Sequence, residues 1–121
     1  MDVERELMRG AGPVAVLKLL ERGEMYGYEL AEALARRTDG ALAMGESTLY
    51  PMLYNLEAKK LVASRVERGG ARPRRYYRLT DKGKAKLVEA TAHWRAVAGA
   101  MRDLGVVGGR LVADPTAGGA L

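Results

Sequence analysis

The spacing of apolar residues changes once along this chain, and that change restricts the fold more than any other feature. Through most of its 121 residues the apolar side chains recur at intervals of three and four, the repeat of a helix with one buried face. Between Leu61 and Leu79 the interval drops to two. Residues 61–67 and 74–79 read as strands, and Gly69, Gly70, Ala71, Arg72 and Pro73 between them are turn material. Alternation puts Tyr77 and Leu79 on one face of the returning strand and Arg74, Tyr76 and Arg78 on the other. The expected class is therefore mainly α with one small β-hairpin.

The helices can be placed around that hairpin. Residues 1–10 carry a thin apolar stripe (Val3, Leu7, Met8) and suit a short helix or an arm. The run from Gly10 to Ala15 fits the loose dinucleotide pattern G-x-G-x-x-A, but Glu, Arg and Glu precede it where a buried strand is required. Pro13 instead starts a helix running to about Arg22, burying Val14, Val16, Leu17, Leu19 and Leu20 and ended by Gly23. A second helix is expected from about Tyr26 to Arg37, with Leu30, Ala31, Leu34 and Ala35 inward and Thr38, Asp39 and Gly40 stopping it. Leu42 and Met44 pin the irregular link that follows.

The third helix, residues 46–60, has the most informative surface. Ser47 or Thr48 is expected to cap it, and Pro51 to fall near its first turn, where a missing N–H costs little. Leu49, Met52, Leu53 and Leu56 make the buried stripe. Ser47, Thr48, Tyr50, Pro51, Tyr54 and Asn55 are left on the other side, polar but uncharged. A solvated face ordinarily carries Lys and Glu, whereas hydroxyls, phenols and an amide suit phosphates and base edges in a major groove.

After the hairpin, Thr80 caps a last helix with Asp81 in its first turn. Leu87, Ala90, Trp94, Val97, Met101 and Leu104 then recur as a heptad stripe, which a second copy of the chain would bury. Gly105 ends that helix. The reading divides the chain into a winged helix-turn-helix DNA-binding domain over residues 1–80, a dimerisation helix over 81–104 and a flexible tail over 105–121.

Charge follows the same division. Eleven basic residues stand between Lys59 and Lys86 against only Glu67 and Asp81, while the rest of the chain is net acidic. Such a concentrated cationic segment is the footprint of a protein that meets a polyanion. The chain has no cysteine and a single histidine, His93, so neither a metal site nor a nucleophilic triad can be assembled, and the carboxylates are scattered. No enzyme activity, cofactor or metal is expected. The N-terminus lacks a signal sequence and no apolar run is long enough to span a bilayer, which points to a cytoplasmic protein without a membrane partner.

Three segments together resemble the PadR family of winged-helix transcriptional regulators: Met25-Tyr26-Gly27-Tyr28-Glu29-Leu30, then residues 47–53 with Leu56 and Glu57, then residues 74–80 with Gly83. The resemblance covers roughly residues 10–90. With one helix after the wing, the chain looks like the short subfamily. The resemblance implies a homodimer that binds double-stranded DNA at an inverted-repeat operator, most members being repressors released by a small molecule. On matching positions it implies that Ser47, Thr48, Tyr50, Pro51 and Tyr54 contact DNA from the reading helix. Arg72, Arg74 and Arg75 would act from the wing, and Tyr28 would reach a phosphate from the second helix. Some members carry a tryptophan on the last helix that stacks flat aromatic ligands, and Trp94 is similar, although simple packing in the seam is the more common role for such a residue. Two departures stand out. Lys60 occupies a position where a helix-ending glycine is common, and residues 10–12 are rich in glycine. The competing reading is a winged-helix module for protein or RNA contact without operator specificity.

Overall fold

With no phenylalanine in the chain, leucine and valine carry the interior. The computed structural model describes residues 3–108, with side chains from Arg5 onward. The elements in order are α1 (Val3–Leu20), β1 (Met25–Tyr26), α2 (Gly27–Arg37), α3 (Glu46–Ala58), β2 (Val62–Glu67), β3 (Arg74–Leu79) and α4 (Asp81–Leu104). The chain divides into two compact units, the first ending at Val88 and the second starting at Glu89.

The core of the first unit takes Val16, Leu17, Leu19 and Leu20 from α1, Leu30, Ala33 and Leu34 from α2, and Leu49, Leu53 and Leu56 from α3. Leu61, Val62, Tyr77 and Leu79 close it from the hairpin, and Leu87 from α4. Each helix contributes residues three and four apart, so burial of one face is what holds these short helices in place. Leu42 and Met44 pack against this core from the link before α3. The sheet is antiparallel in the order β1-β3-β2. Tyr77 lies opposite Ser64 and Leu79 opposite Val62, the register that turns both Tyr77 and Leu79 inward.

Several expectations are corrected. The first helix starts at Val3 and runs through Gly10, Gly12 and Pro13. Gly12 is buried because α3 approaches there: a Cβ on it would stand 2.6 Å from Cε of Met52. In α2 the third inward position is Ala33, with Ala31 and Ala35 only half-buried. The cap of α3 is Gly45, whose carbonyl accepts from the amides of Thr48 and Leu49 at 3.1 and 2.9 Å; Ser47 and Thr48 lie inside the first turn. Pro51 accordingly lies within the helix, and its ring leaves the Ser47 carbonyl without an i+4 amide donor. A third strand, β1, was not expected at all. It pairs Met25 with Tyr77 and Tyr26 with Tyr76.

The exits of α3 and α4 share one solution. Lys60 has φ of 67°, and the amides of Lys60 and Leu61 donate to the carbonyls of Glu57 and Leu56, both at 2.9 Å, closing a left-handed helix end. Gly105 does the same for α4 with φ of 88° and the bond from Val106 to Met101. Thr80 caps α4 as expected, its hydroxyl accepting from the Gly83 amide at 2.9 Å and donating to the Lys60 carbonyl at 2.6 Å. Leu87 is 4% exposed and belongs to the core of a single chain, which corrects its placement on a free seam between copies. Most of the tail expected beyond Gly105 lies outside the described residues.

Candidate nucleic-acid interface

The buried stripe of α3 decides what its other side can do. Leu49, Leu53 and Leu56 are fixed in the core, so Ser47, Thr48, Tyr50, Pro51, Tyr54 and Asn55 all stand exposed on one uncharged surface. They are not equivalent. Tyr54 is 74% exposed. Tyr50 is 42% exposed and lies over the start of α2, where a Cβ on Gly27 would come within 2.8 Å of its ring. The glycine within the segment Met25–Leu30 thus has a steric reason: it makes room for the phenol of Tyr50.

At the N-terminus of α2, the Tyr26 amide donates to Glu29 Oε1 at 3.0 Å, so the N3 carboxylate satisfies the amide of the capping residue. Tyr28 projects one residue into this helix and is 63% exposed, its ring 6.4 Å from that of Tyr26. Tyr28 is thus an exposed phenol in the first turn of α2, next to Gly27.

The wing arginines, by contrast, separate into different environments. Arg74 and Arg75 are adjacent on β3 and so point to opposite faces of the sheet. The Arg74 guanidinium lies 4.6 Å from the ring centroid of Tyr26. Arg75 donates through Nη1 to the Ser64 hydroxyl at 3.0 Å, and Ser64 in turn donates to Glu57 Oε2 at 2.7 Å. This chain of bonds links the end of α3 to both strands of the wing. Arg65 is bound up with acids: it pairs with Glu24 and with Glu67 (2.5 Å for the latter) and covers the Tyr76 ring at 4.9 Å. Arg68 and Arg72 near the tip are exposed, with no ion pair or hydrogen bond among the described residues. The wing therefore offers Arg68 and Arg72 exposed at its tip, Arg74 and Arg75 oriented but exposed on β3 with Arg78 exposed further along the same strand, and Arg65, which is neutralised.

Electrostatics agree with this sorting. The hydrogen bonds from Arg65 hold the Glu24 carboxyl below its ordinary value, against the opposing effect of desolvation. The same bonds, from Glu24 and Glu67, raise Arg65 above the usual guanidinium value. Burial pushes the Tyr77 phenol up, offset in part by Arg75, so it remains a neutral core group.

On α4, Trp94, Val97 and Leu104 are exposed at 42, 53 and 77%, while Ala90 and Met101 are half-buried. Among the described residues no helix is long and apolar enough to cross a membrane, and no group of three or more acids or histidines could hold a metal.

Comparison with known proteins places this geometry. Residues 16–89 match the family model of the transcriptional regulator PadR-like family. Transcriptional regulator Rv3488 of Mycobacterium tuberculosis is 35% identical over 85 residues, covering 70% of this chain and 77% of the relative. A PadR family regulator from Eggerthella lenta is similar in structure, with a TM-score of 0.73 and 38% identity over 82% of this chain and 85% of that one. Bacillus subtilis PadR in complex with operator DNA aligns at a TM-score of 0.61 and 28% identity, over 65% of this chain and 44% of that one. The four helices and small antiparallel sheet are those of PadR winged-helix structures.

Proposed function

This chain belongs to the PadR family of transcriptional regulators, and on that premise we propose that it binds an inverted-repeat operator as a homodimer and represses by occluding it. The observation that carries the reading is the uncharged, exposed surface of α3 beside a basic wing. Ser47, Thr48, Tyr54 and Asn55 read base edges and neighbouring phosphates, Tyr50 and Pro51 shape the contact, and Tyr28 meets a phosphate from α2. Arg72, Arg74 and Arg75 bind flanking phosphates from the wing. Bacillus subtilis PadR, a similar protein, has been captured on operator DNA, which supports the same use here.

Dimerisation is assigned to α4. Trp94, Val97, Met101 and Leu104, with Ala90, form the seam, and a second copy would cover the exposed part of that stripe. The expected organisation is a DNA-binding domain, this helix, and a tail from residue 105. Two reading helices then enter major grooves about one DNA turn apart. Trp94 is the effector residue in this account: its indole and that of the partner copy sandwich a planar aromatic ligand, and binding releases DNA. Titration with a flat cationic dye should quench Trp94, the only tryptophan in the chain; unchanged emission at saturating dye removes the effector assignment.

The DNA assignment is tested by titrating a labelled duplex at several salt concentrations. If six to ten phosphates are neutralised per dimer, the logarithmic slope of affinity against salt is about −5 to −9. A slope near zero contradicts phosphate-anchored binding.

A further inference from the structure

The hairpin that carries the wing arginines is extended at its β3 edge by a two-residue strand, and the contact between them is aromatic. Tyr26 on β1 lies opposite Tyr76 on β3, and their rings meet edge to face at 5.4 Å and 60°. The Arg74 guanidinium sits 4.6 Å from the Tyr26 centroid, and Arg65 sits 4.9 Å from that of Tyr76. Arg65 is anchored from the far side by Glu24, one residue before β1, so the pair Glu24–Arg65 ties this edge strand to β2. Arginine has a long, flexible side chain, and stacking on a ring reduces the orientations that must be given up when it meets a phosphate. Both the Arg74 stack and the Tyr76 packing use the ring of Tyr26.

We propose that Tyr26 is a positioning residue for DNA binding: its ring seats Arg74 in the orientation in which the wing meets the phosphate backbone. The inference rests on the reading of the wing given above. It makes Tyr26 act through Arg74, without touching DNA itself. The Arg65–Tyr76 stack beside it holds the seat, and Arg65 contributes no free charge because Glu24 and Glu67 engage it.

The test uses the full chain and a fluorescein-labelled duplex of about 30 base pairs and arbitrary sequence at ~50 mM salt, where phosphate contacts dominate binding. Tyr26→Phe keeps the ring and should bind as the parent does. Tyr26→Leu should weaken binding by about three- to tenfold, the scale of one stacked cation. Arg74→Ala should weaken it at least as much, and the double variant Tyr26→Leu/Arg74→Ala should be no weaker than Arg74→Ala alone. If the two losses instead multiply, or if Tyr26→Phe is as weak as Tyr26→Leu, Tyr26 does not act through Arg74 and the proposal is overturned. Parent-like binding by Arg74→Ala would overturn the wing assignment, and this inference with it; a weak Arg74→Ala beside a parent-like Tyr26→Leu overturns this inference alone. A measurement without substitution guards against a Tyr26→Leu chain that fails to fold. In the parent, the Arg74 side-chain protons should be shifted upfield by the Tyr26 ring current, and unshifted protons overturn the stacking itself.

Discussion

At three positions backbone geometry or a neighbour pressed against the main chain decides what a substitution does, and the outcomes are separable. Lys60 holds φ of 67° at the end of α3, a conformation that costs an L-residue about 1–2 kcal/mol and glycine little. Lys60→Gly should therefore stabilise the protein by about 0.5–1 kcal/mol, once the extra freedom of glycine in the unfolded chain is set against that strain, read as a higher urea midpoint at unchanged slope. Gly83 is the opposite case. A Cβ there would collide with the carbonyl oxygen of Leu61 and stand 3.0 Å from its carbon, and backbone cannot rotate away. Gly83→Ala should lower stability by about 2 kcal/mol or more by the same measurement. Gly27→Ala presses on the mobile end of Tyr50 instead, so folding should suffer less while the reading surface shifts; its readout is loss of DNA affinity with a nearly unchanged melting temperature. Glu24 adds a prediction in pH. Its carboxyl is held down by hydrogen bonds from Arg65, so an NMR titration should place its midpoint below that of an ordinary glutamate, and Arg65→Gln should bring it back. Because the folded value is the depressed one, the bridge contributes above the unfolded pKa and is lost as pH falls through the folded one.

At the scale of elements, the reading helix and the wing should fail in different ways. Tyr54→Ala removes an exposed side chain from α3, so it should leave stability unchanged and reduce preference for the operator over other DNA by about 1–3 kcal/mol in competition binding. Arg72→Ala, at the exposed tip of the wing, should weaken binding to all sequences alike and reduce the salt slope by about 1 for each phosphate no longer neutralised. The elements whose boundaries were legible in advance are those with signals inside themselves. Gly69 to Pro73 mark the turn of the wing, and Thr80 and Gly105 bracket α4 at both ends. What was not legible depends on partners distant in sequence. Met25 and Tyr26 are a strand only because β3 lies beside them, and two residues carry no periodicity. Gly10, Gly12 and Pro13 suggest a helix start, yet α1 runs through them, and Gly12 is where Met52 of α3 packs against it. Spacing also assigned Leu87 to the seam, since a heptad cannot say whether its first residue is buried by its own chain or by another. Among the candidate DNA-binding residues, the types and exposure of those on α3 were readable, but the internal pairing of Arg65 and the seating of Arg74 were not. Those depend on Glu24 and Tyr26, about 40 residues or more away along the chain.

For the whole molecule, the proposed dimer joins one reading head per chain through α4. Trp94, Val97 and Leu104 expose apolar surface that one chain leaves in water. Val97→Asp should convert the dimer to a monomer by light scattering, and should weaken binding to an inverted repeat far more than to a single half-site. The central claim is that this regulator selects particular operator sequences. It is tested most directly by capturing sheared genomic DNA with the purified protein at ~0.2 M salt, where non-specific association is weak, and sequencing what is retained. The expected result is a few strongly enriched sites that share an inverted repeat with half-sites about one helical turn apart. A flat profile across the genome, from a protein that is folded and dimeric, would contradict it.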